Sequence, residues 1–279
     1  MNEQRDAPRA NPQDDWRVNA ERFTGFAGCY DSFRQHPPAV LPELLLQLAG
    51  VARAKLVADL GCGTGISTRV WAPHAEQVVG IDPSDDMLGY AAAIESSPNI
   101  SYRKGLSHAT GLPDACADVI TCSQSLHWMD PAGTFAEAAR VLRPGGVFAG
   151  YDCNWPPAIG CWQIDPAYRR LMDYAGKLAV RHGLTRGLKQ WRKEEHIARM
   201  RNSGRFRYVT EVLLHSVESG NAERIVGLVL SQGIVAGLLK LGLTQAEIGV
   251  DDFRAFAQRE MGSDTRPWFF SYRVRVGIV

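Results

Sequence analysis

The chain has 279 residues, 45% of them apolar, and a formal net charge of +1; this suits one large α/β domain with an inserted cap, or two small domains, and gives no overall charge with which to attract nucleic acid or a membrane surface. Charge is nevertheless uneven, because residues 155–207 hold 12 Lys and Arg against 4 Asp and Glu, a local +8 that leaves −7 for the rest, as an anionic ligand or merely solvated helix faces would require. The six cysteines form no C-x-x-C pair and no zinc-finger spacing with His, which argues against a metal site and fits a reducing cytoplasm as the expected compartment.

Residues 1–15 are polar and aperiodic, so a disordered arm is expected there. An aromatic stretch at 16–35 opens an N-terminal lid segment, 16–50, with a short helix at 42–48. A βαβ rhythm then fills a core at 51–154: strands at 56–60, 77–81, 100–104, 118–122 and 147–151, and helices at 65–72, 85–94 and 131–142. Asp130 as N-cap and Pro131 at the first helical position start the last of these helices, and Gly145 and Gly146 end it. Such alternation means a doubly wound, mostly parallel sheet with helices on both faces, which binds ligands at the carboxyl ends of its strands.

From 155 the rhythm stops. A basic helical insertion at 155–206 contains one helix running from Asp165 and Pro166 to Gly183 and a second at 189–201. Strands at 207–217 and 268–276 follow, with cap helices inserted between them at 222–241 and 244–261. The apolar run 225–241 contains Ser231, Gln232, Lys240 and three glycines, too short and interrupted for a membrane span, so a buried cap helix is expected. Together with the 16–35 arm, the cap helices are expected to form a mobile lid.

The chemistry concentrates after the first core strand. Asp59 is followed by Gly61, Gly63 and Gly65 at alternate positions, and a helix opens behind them. Glycines there let the backbone turn tightly and approach a ligand, and the helix start offers free N–H groups. The G-x-G-x-x-G spacing of dinucleotide enzymes fails at Ile66. Asp59 would repel a pyrophosphate but suits a cationic ammonium. Asp82, ending the next apolar strand, can accept two hydrogen bonds from a ribose diol.

These residues resemble the class I S-adenosylmethionine-dependent methyltransferases, and the segments 107–113, 118–130 and 137–152 add to the likeness. The 126–128 triplet Leu-His-Trp and the Tyr-Asp-Ser-Phe-Arg stretch at 30–34 are similar to the small-molecule branch of trans-aconitate and ubiquinone-biosynthesis type. The resemblance implies a seven-stranded Rossmann-like sheet with the last strand antiparallel, and S-adenosyl-L-methionine as cofactor. It implies that Asp59, Gly61, Gly63 and Gly65 cradle the methionine half, that Asp82 binds the ribose, and that Met87 packs on the adenine. Ala109 would offer its backbone N–H to the adenine, beside His108, which stands where many relatives carry an acid. Ser123 and Gln124 would lie under the sulfonium, with Tyr30 and Arg34 closing over the cofactor.

For the reaction, His127 is a candidate general base and equally a structural histidine. Trp128 and Trp155 are candidate substrate walls, and Arg169 or Arg186 a candidate anchor for a substrate anion. The expected activity is O-methylation of a small carboxylate-bearing metabolite by in-line methyl transfer, with no metal. N-, C- or S-methylation of a natural-product scaffold and RNA methylation stay open as alternatives. The expected partner is a small molecule, with no membrane and no evident nucleic-acid module, in a monomer or homodimer.

Overall fold

The structure, a computed structural model, describes residues 18, 19, 22 and 24–279; the expected arm at 1–15 and the start of the lid segment lie outside the described residues. The strands are β1 (Ala54–Leu60), β2 (Ala75–Asp82), β3 (Ile100–Lys104), β4 (Ala117–Ser123), β5 (Leu142–Cys153), β6 (Tyr208–Gly220) and β7 (Arg266–Ile278). They form one sheet in the order β3-β2-β1-β4-β5-β7-β6. β1 to β5 pair in parallel, while β7 runs antiparallel to both β5 and β6. The expected seven strands and the antiparallel last strand are present. Strand order reverses at β1, whose neighbours are β2 and β4, so the connections leave in opposite directions and open a crevice at the carboxyl ends.

The central strands are apolar because both of their faces are covered. On one face Val57, Val78, Val119 and Val147 join the helix Leu41–Ala49 and the helix Ile164–Arg181 in one buried cluster. On the other, Ala58, Leu60, Ile120 and Phe148 pack against Phe135, Ala138 and Val141 of the helix Pro131–Val141. Phe135, Phe148 and Phe206 close that side as a trio with ring centroids 5.6–5.8 Å apart.

Several expected helices are shorter or divided. The helix after the glycine turn covers only Ile66–Arg69. The apolar run expected as one helix is two, Ala222–Leu230 and Gly233–Lys240, bent by 68°. Gln232 is extended at the break, and Ser231 turns its hydroxyl back to the Leu228 carbonyl. Ile225, Leu228, Val235 and Leu238 are fully buried, so the pair is core, and no single described helix is long and apolar enough to cross a membrane. Gly249, in the left-handed region at φ 87°, separates Gln245–Ile248 from Val250–Met261. In the basic insertion the second helix is confined to His196–Asn202, behind a 3-10 turn at Lys193–Glu195. β6 forms the sheet edge, and around it Leu213, Val217 and Phe269 lie at least half exposed.

Candidate active site

A cavity of about 770 Å³ occupies the crevice over the carboxyl ends of β1, β2 and β4. The glycine turn forms its floor. Gly61, Gly63 and Gly65 all take positive φ, at 64°, 55° and 82°, each under a different constraint. A Cβ on Gly61 would lie 2.7 Å from Ser125 and Met129, and one on Gly65 would lie 2.3 Å from the Tyr102 hydroxyl. Gly63 faces open space, with nothing within 4 Å of the added Cβ. The first and third glycines therefore let protein pack against the turn, and the middle one leaves room for a ligand.

Asp82 ends β2 and lines the cavity. Its carboxylate accepts from Gly63 N at 3.0 Å and Ser84 N at 2.9 Å, one bond to each oxygen. Each oxygen keeps a lone pair for a further donor. Burial pushes its carboxyl up to about 6 against these two bonds. The Ser84 hydroxyl caps the following helix by accepting from Met87 N, which brings Met87 to the cavity wall.

Asp59 occupies a different place from the one expected. It is completely buried and does not line the cavity. The hydroxyls of Thr68 and Thr121 donate to its two oxygens at 2.7 and 2.8 Å. Burial again lifts its carboxyl to about 6. Asp59 thus ties β1 to β4 and to the helix behind the turn, holding the turn's shape from beneath.

Of the other residues singled out from the sequence, Tyr30, Arg34, His108, Ser123, Gln124 and Trp128 line the cavity. Gly65 and Ala109 lie beside it without lining it; Ala109 N is bonded to the Leu106 carbonyl at 3.0 Å. Trp155 sits one layer out, beneath the Arg34 guanidinium at 5.0 Å. Arg169 and Arg186 are exposed and line no part of the cavity.

His127, the candidate general base, is buried behind Trp128. It is 7% exposed and does not line the cavity. Its ring packs against Trp128 with centroids 4.8 Å apart, and its carbonyl accepts from Trp191 N at 2.8 Å. Burial, followed by the nearby cations Lys193, Arg22 and Arg275, holds its imidazole well below the usual histidine range. A neutral ring with so little proton affinity is a poor proton acceptor.

Asn19, Gln35 and Lys189, which sequence reasoning passed over, and Trp191 line the cavity from the N-terminal segment and the basic insertion. Asn19 holds these two parts together, its amide donating to the carbonyls of Trp128 and Lys189 at 3.0 and 2.9 Å. Arg34 makes a similar tie, donating from Nη2 to the Ser231 carbonyl at 2.8 Å. Among the described residues there is no group of three or more His, Cys, Asp or Glu placed to hold a metal ion.

An open parallel sheet with a glycine turn and an acid at the end of the second strand defines a nucleoside-binding Rossmann-like domain, and the sequence comparisons say which kind. Residues 58–150 match the methyltransferase domain family. A methyltransferase of Synechocystis is 31% identical over 165 residues, covering 52% of this chain and 77% of that protein. The malonyl-[acyl-carrier protein] O-methyltransferase of Pectobacterium atrosepticum is 34% identical over 131 residues, covering 47% of this chain and 51% of the relative. Among solved structures, one assigned as a type II methyltransferase of Anaeromyxobacter dehalogenans superposes with TM-score 0.60 at 24% identity, over 88% of this chain and 98% of that one. The chain belongs to the class I methyltransferase family. It spans about half the length of the first curated relatives it matches.

Proposed function

We propose that the protein transfers a methyl group from S-adenosylmethionine to an oxygen of a small anionic molecule. The observation that carries this reading is the joint presence of Asp82 and the open left-handed turn at Gly63 on one cavity wall. The residues fit the cofactor. Gly63 leaves a space that any side chain would fill, and Thr64 on the same turn has a buried hydroxyl with no partner. Gly61 and Gly63 would hold the methionine half, Asp82 the ribose, and Met87 and His108 the base. When bound, the cofactor supplies an electrophilic methyl group.

The chain's own part is alignment and exclusion of water. Tyr30, Trp128 and Trp191 give the cavity aromatic walls. A carboxylate is already ionised at neutral pH and needs no proton acceptor, which agrees with the burial of His127. The oxygen target is supported by the O-methyltransferase among the relatives, and the anionic target by Arg34 and Lys189 on the cavity wall. Incubation with S-adenosylmethionine and a metabolite extract should yield a product heavier by one methyl group that loses it in mild alkali. A product stable to alkali would overturn the carboxylate reading, and no methylated product at all would overturn the activity.

A further inference from the structure

Buried polar atoms in a folded protein are nearly always hydrogen-bonded, and each one left without a partner costs about 1–3 kcal/mol. Five such side-chain atoms sit on residues lining this one cavity: Asn19 Oδ1, Arg34 Nε, Gln35 Oε1, Thr64 Oγ1 and Gln124 Nε2. Thr64 belongs to the glycine turn. Arg34, Gln35 and Gln124 instead converge on the carboxyl end of β5, at Cys153. Gln35 lies 3.0 Å from Cys153 Sγ through its Nε2, and Gln124 N donates to the carbonyl of Tyr151 on the same strand at 2.8 Å.

We propose that Arg34, Gln35 and Gln124 form a substrate subsite that takes an oxygen acceptor group, a carboxylate or carbonyl, of the molecule being methylated, and that Lys193 positions Gln124 for it. The proposal rests on the methyltransferase reading and specifies its substrate end.

Three features fix the direction of these groups. Lys193 Nζ lies 3.5 Å from Gln124 Oε1 and 3.5 Å from Asp152 Oδ1. An ammonium only donates, so it selects the oxygen end of the Gln124 amide and leaves Nε2 as a free donor. Asp152 is itself anchored by Arg275 at 2.5 Å, a residue 2% exposed. The Gln124 backbone is held at φ 53° with its N–H on the Tyr151 carbonyl, which fixes where the side chain starts. Arg34 is clamped between the rings of Tyr30 and Trp155, at 4.7 and 5.0 Å, and tied by Nη2 to Ser231. Its Nε is therefore a second fixed donor. Gln35 is 5% exposed and one end of its amide is held at Cys153, which leaves the other end for a hydroxyl or amide neighbouring the acceptor group.

Two fixed donors beside a third, adaptable polar group favour an acceptor oxygen over an apolar scaffold by desolvation alone. A purely apolar substrate would leave all three atoms unpaired.

The test is isothermal titration of the protein loaded with S-adenosylhomocysteine. The anionic probes are 2-hydroxybenzoate and malonate, and the neutral one is 2-hydroxybenzyl alcohol. The anionic probes should bind at least about tenfold tighter than the neutral one. Gln124→Leu should remove about tenfold of the affinity for both anionic probes, and Gln35→Leu about tenfold of that for 2-hydroxybenzoate, the one with a hydroxyl, while affinity for S-adenosylhomocysteine stays within about twofold. Lys193→Met should reproduce the Gln124→Leu loss, and Lys193→Arg should restore it. Lys193 is partly exposed, so its replacement leaves the core packing intact. The proposal is overturned if the wild type binds neutral and anionic probes alike, or if Lys193→Met has no effect. It is also overturned if affinity for S-adenosylhomocysteine falls in step with probe affinity, since the free donors would then serve the cofactor's own carboxylate. Because the readout is binding, absence of methylated product would count against the activity without touching the subsite.

Discussion

Replacing Asp82 by Asn should separate affinity from stability. Burial lifts this carboxyl from 3.8 to about 6, so holding it ionised at neutral pH costs the fold about 3 kcal/mol, and the uncharged amide recovers that amount. Against this, the carboxylate accepts from both Gly63 N and Ser84 N. Those two bonds are already part of the value of about 6, so the Asn variant should be no less stable to unfolding than the wild type. Cofactor binding has no such compensation. Losing one charged acceptor for the ribose should weaken S-adenosylhomocysteine by about 1.5–3 kcal/mol, or roughly 10- to 150-fold. Titration calorimetry and urea unfolding in one buffer measure both quantities. The wild type should also lose affinity as pH falls through about 6, where Asp82 takes up its proton, and the Asn variant should not. Unchanged affinity in the variant, or the same pH dependence in both proteins, would refute the assignment of Asp82.

Asp59 should reveal itself in stability. Its folded-state pKa of about 6 lies above the ordinary 3.8, so the folded chain holds this proton more tightly than the unfolded one and stability from this group rises as pH falls from about 7 to about 4. Asp59→Asn should flatten that part of the slope in urea midpoints measured across the range; an identical slope would argue against the burial account. Gly65→Ala should destabilise more than Gly63→Ala, because only the former drives a Cβ into Tyr102 on top of the left-handed cost of about 1–2 kcal/mol that both share, and thermal unfolding will rank them. His127→Phe should leave the pH profile of turnover unchanged near 6 to 7, since the buried imidazole stays neutral throughout; loss of a titrating limb there would restore it as a base.

The glycine turn and the acids at the two strand ends were legible because their signals are local. Asp59, the three glycines and Asp82 lie within one βαβ unit, where strand ends and turns fix neighbouring residues together. The substrate half depends on tertiary placement. Arg169 and Arg186 were chosen for charge, and a charge count cannot tell a helix face turned to solvent from one turned inward. Gln35 and Asn19 carry no charge and follow no motif, and they reach the cavity only through contacts with Cys153, Trp128 and Lys189, distant in the chain. Asp59 was placed at the correct strand end but assigned to the ligand, because its partners Thr68 and Thr121 meet only once β4 packs beside β1. The divided cap helix follows the same logic. The run 225–241 is apolar enough for one helix, and the break at Gln232 is set by packing, with Arg22 lying where a side chain on Gly233 would have to go.

The strand order also sets a sequence of events during synthesis. β1 to β5 can zip together as they emerge, each beside a strand already made. β6 is then produced with no partner, because the only strand it pairs with is β7, which comes later and inserts between β5 and β6. Until then β5, buried along most of its length in the finished sheet, stands as an open edge, and the Arg275 that anchors Asp152 has yet to be translated. The nascent chain therefore passes through a stage with two unpaired edges, the condition under which partly folded chains associate. Yield at high expression rates should be governed by how quickly β7 arrives, with slower translation or chaperone supply helping more than any change in the finished fold.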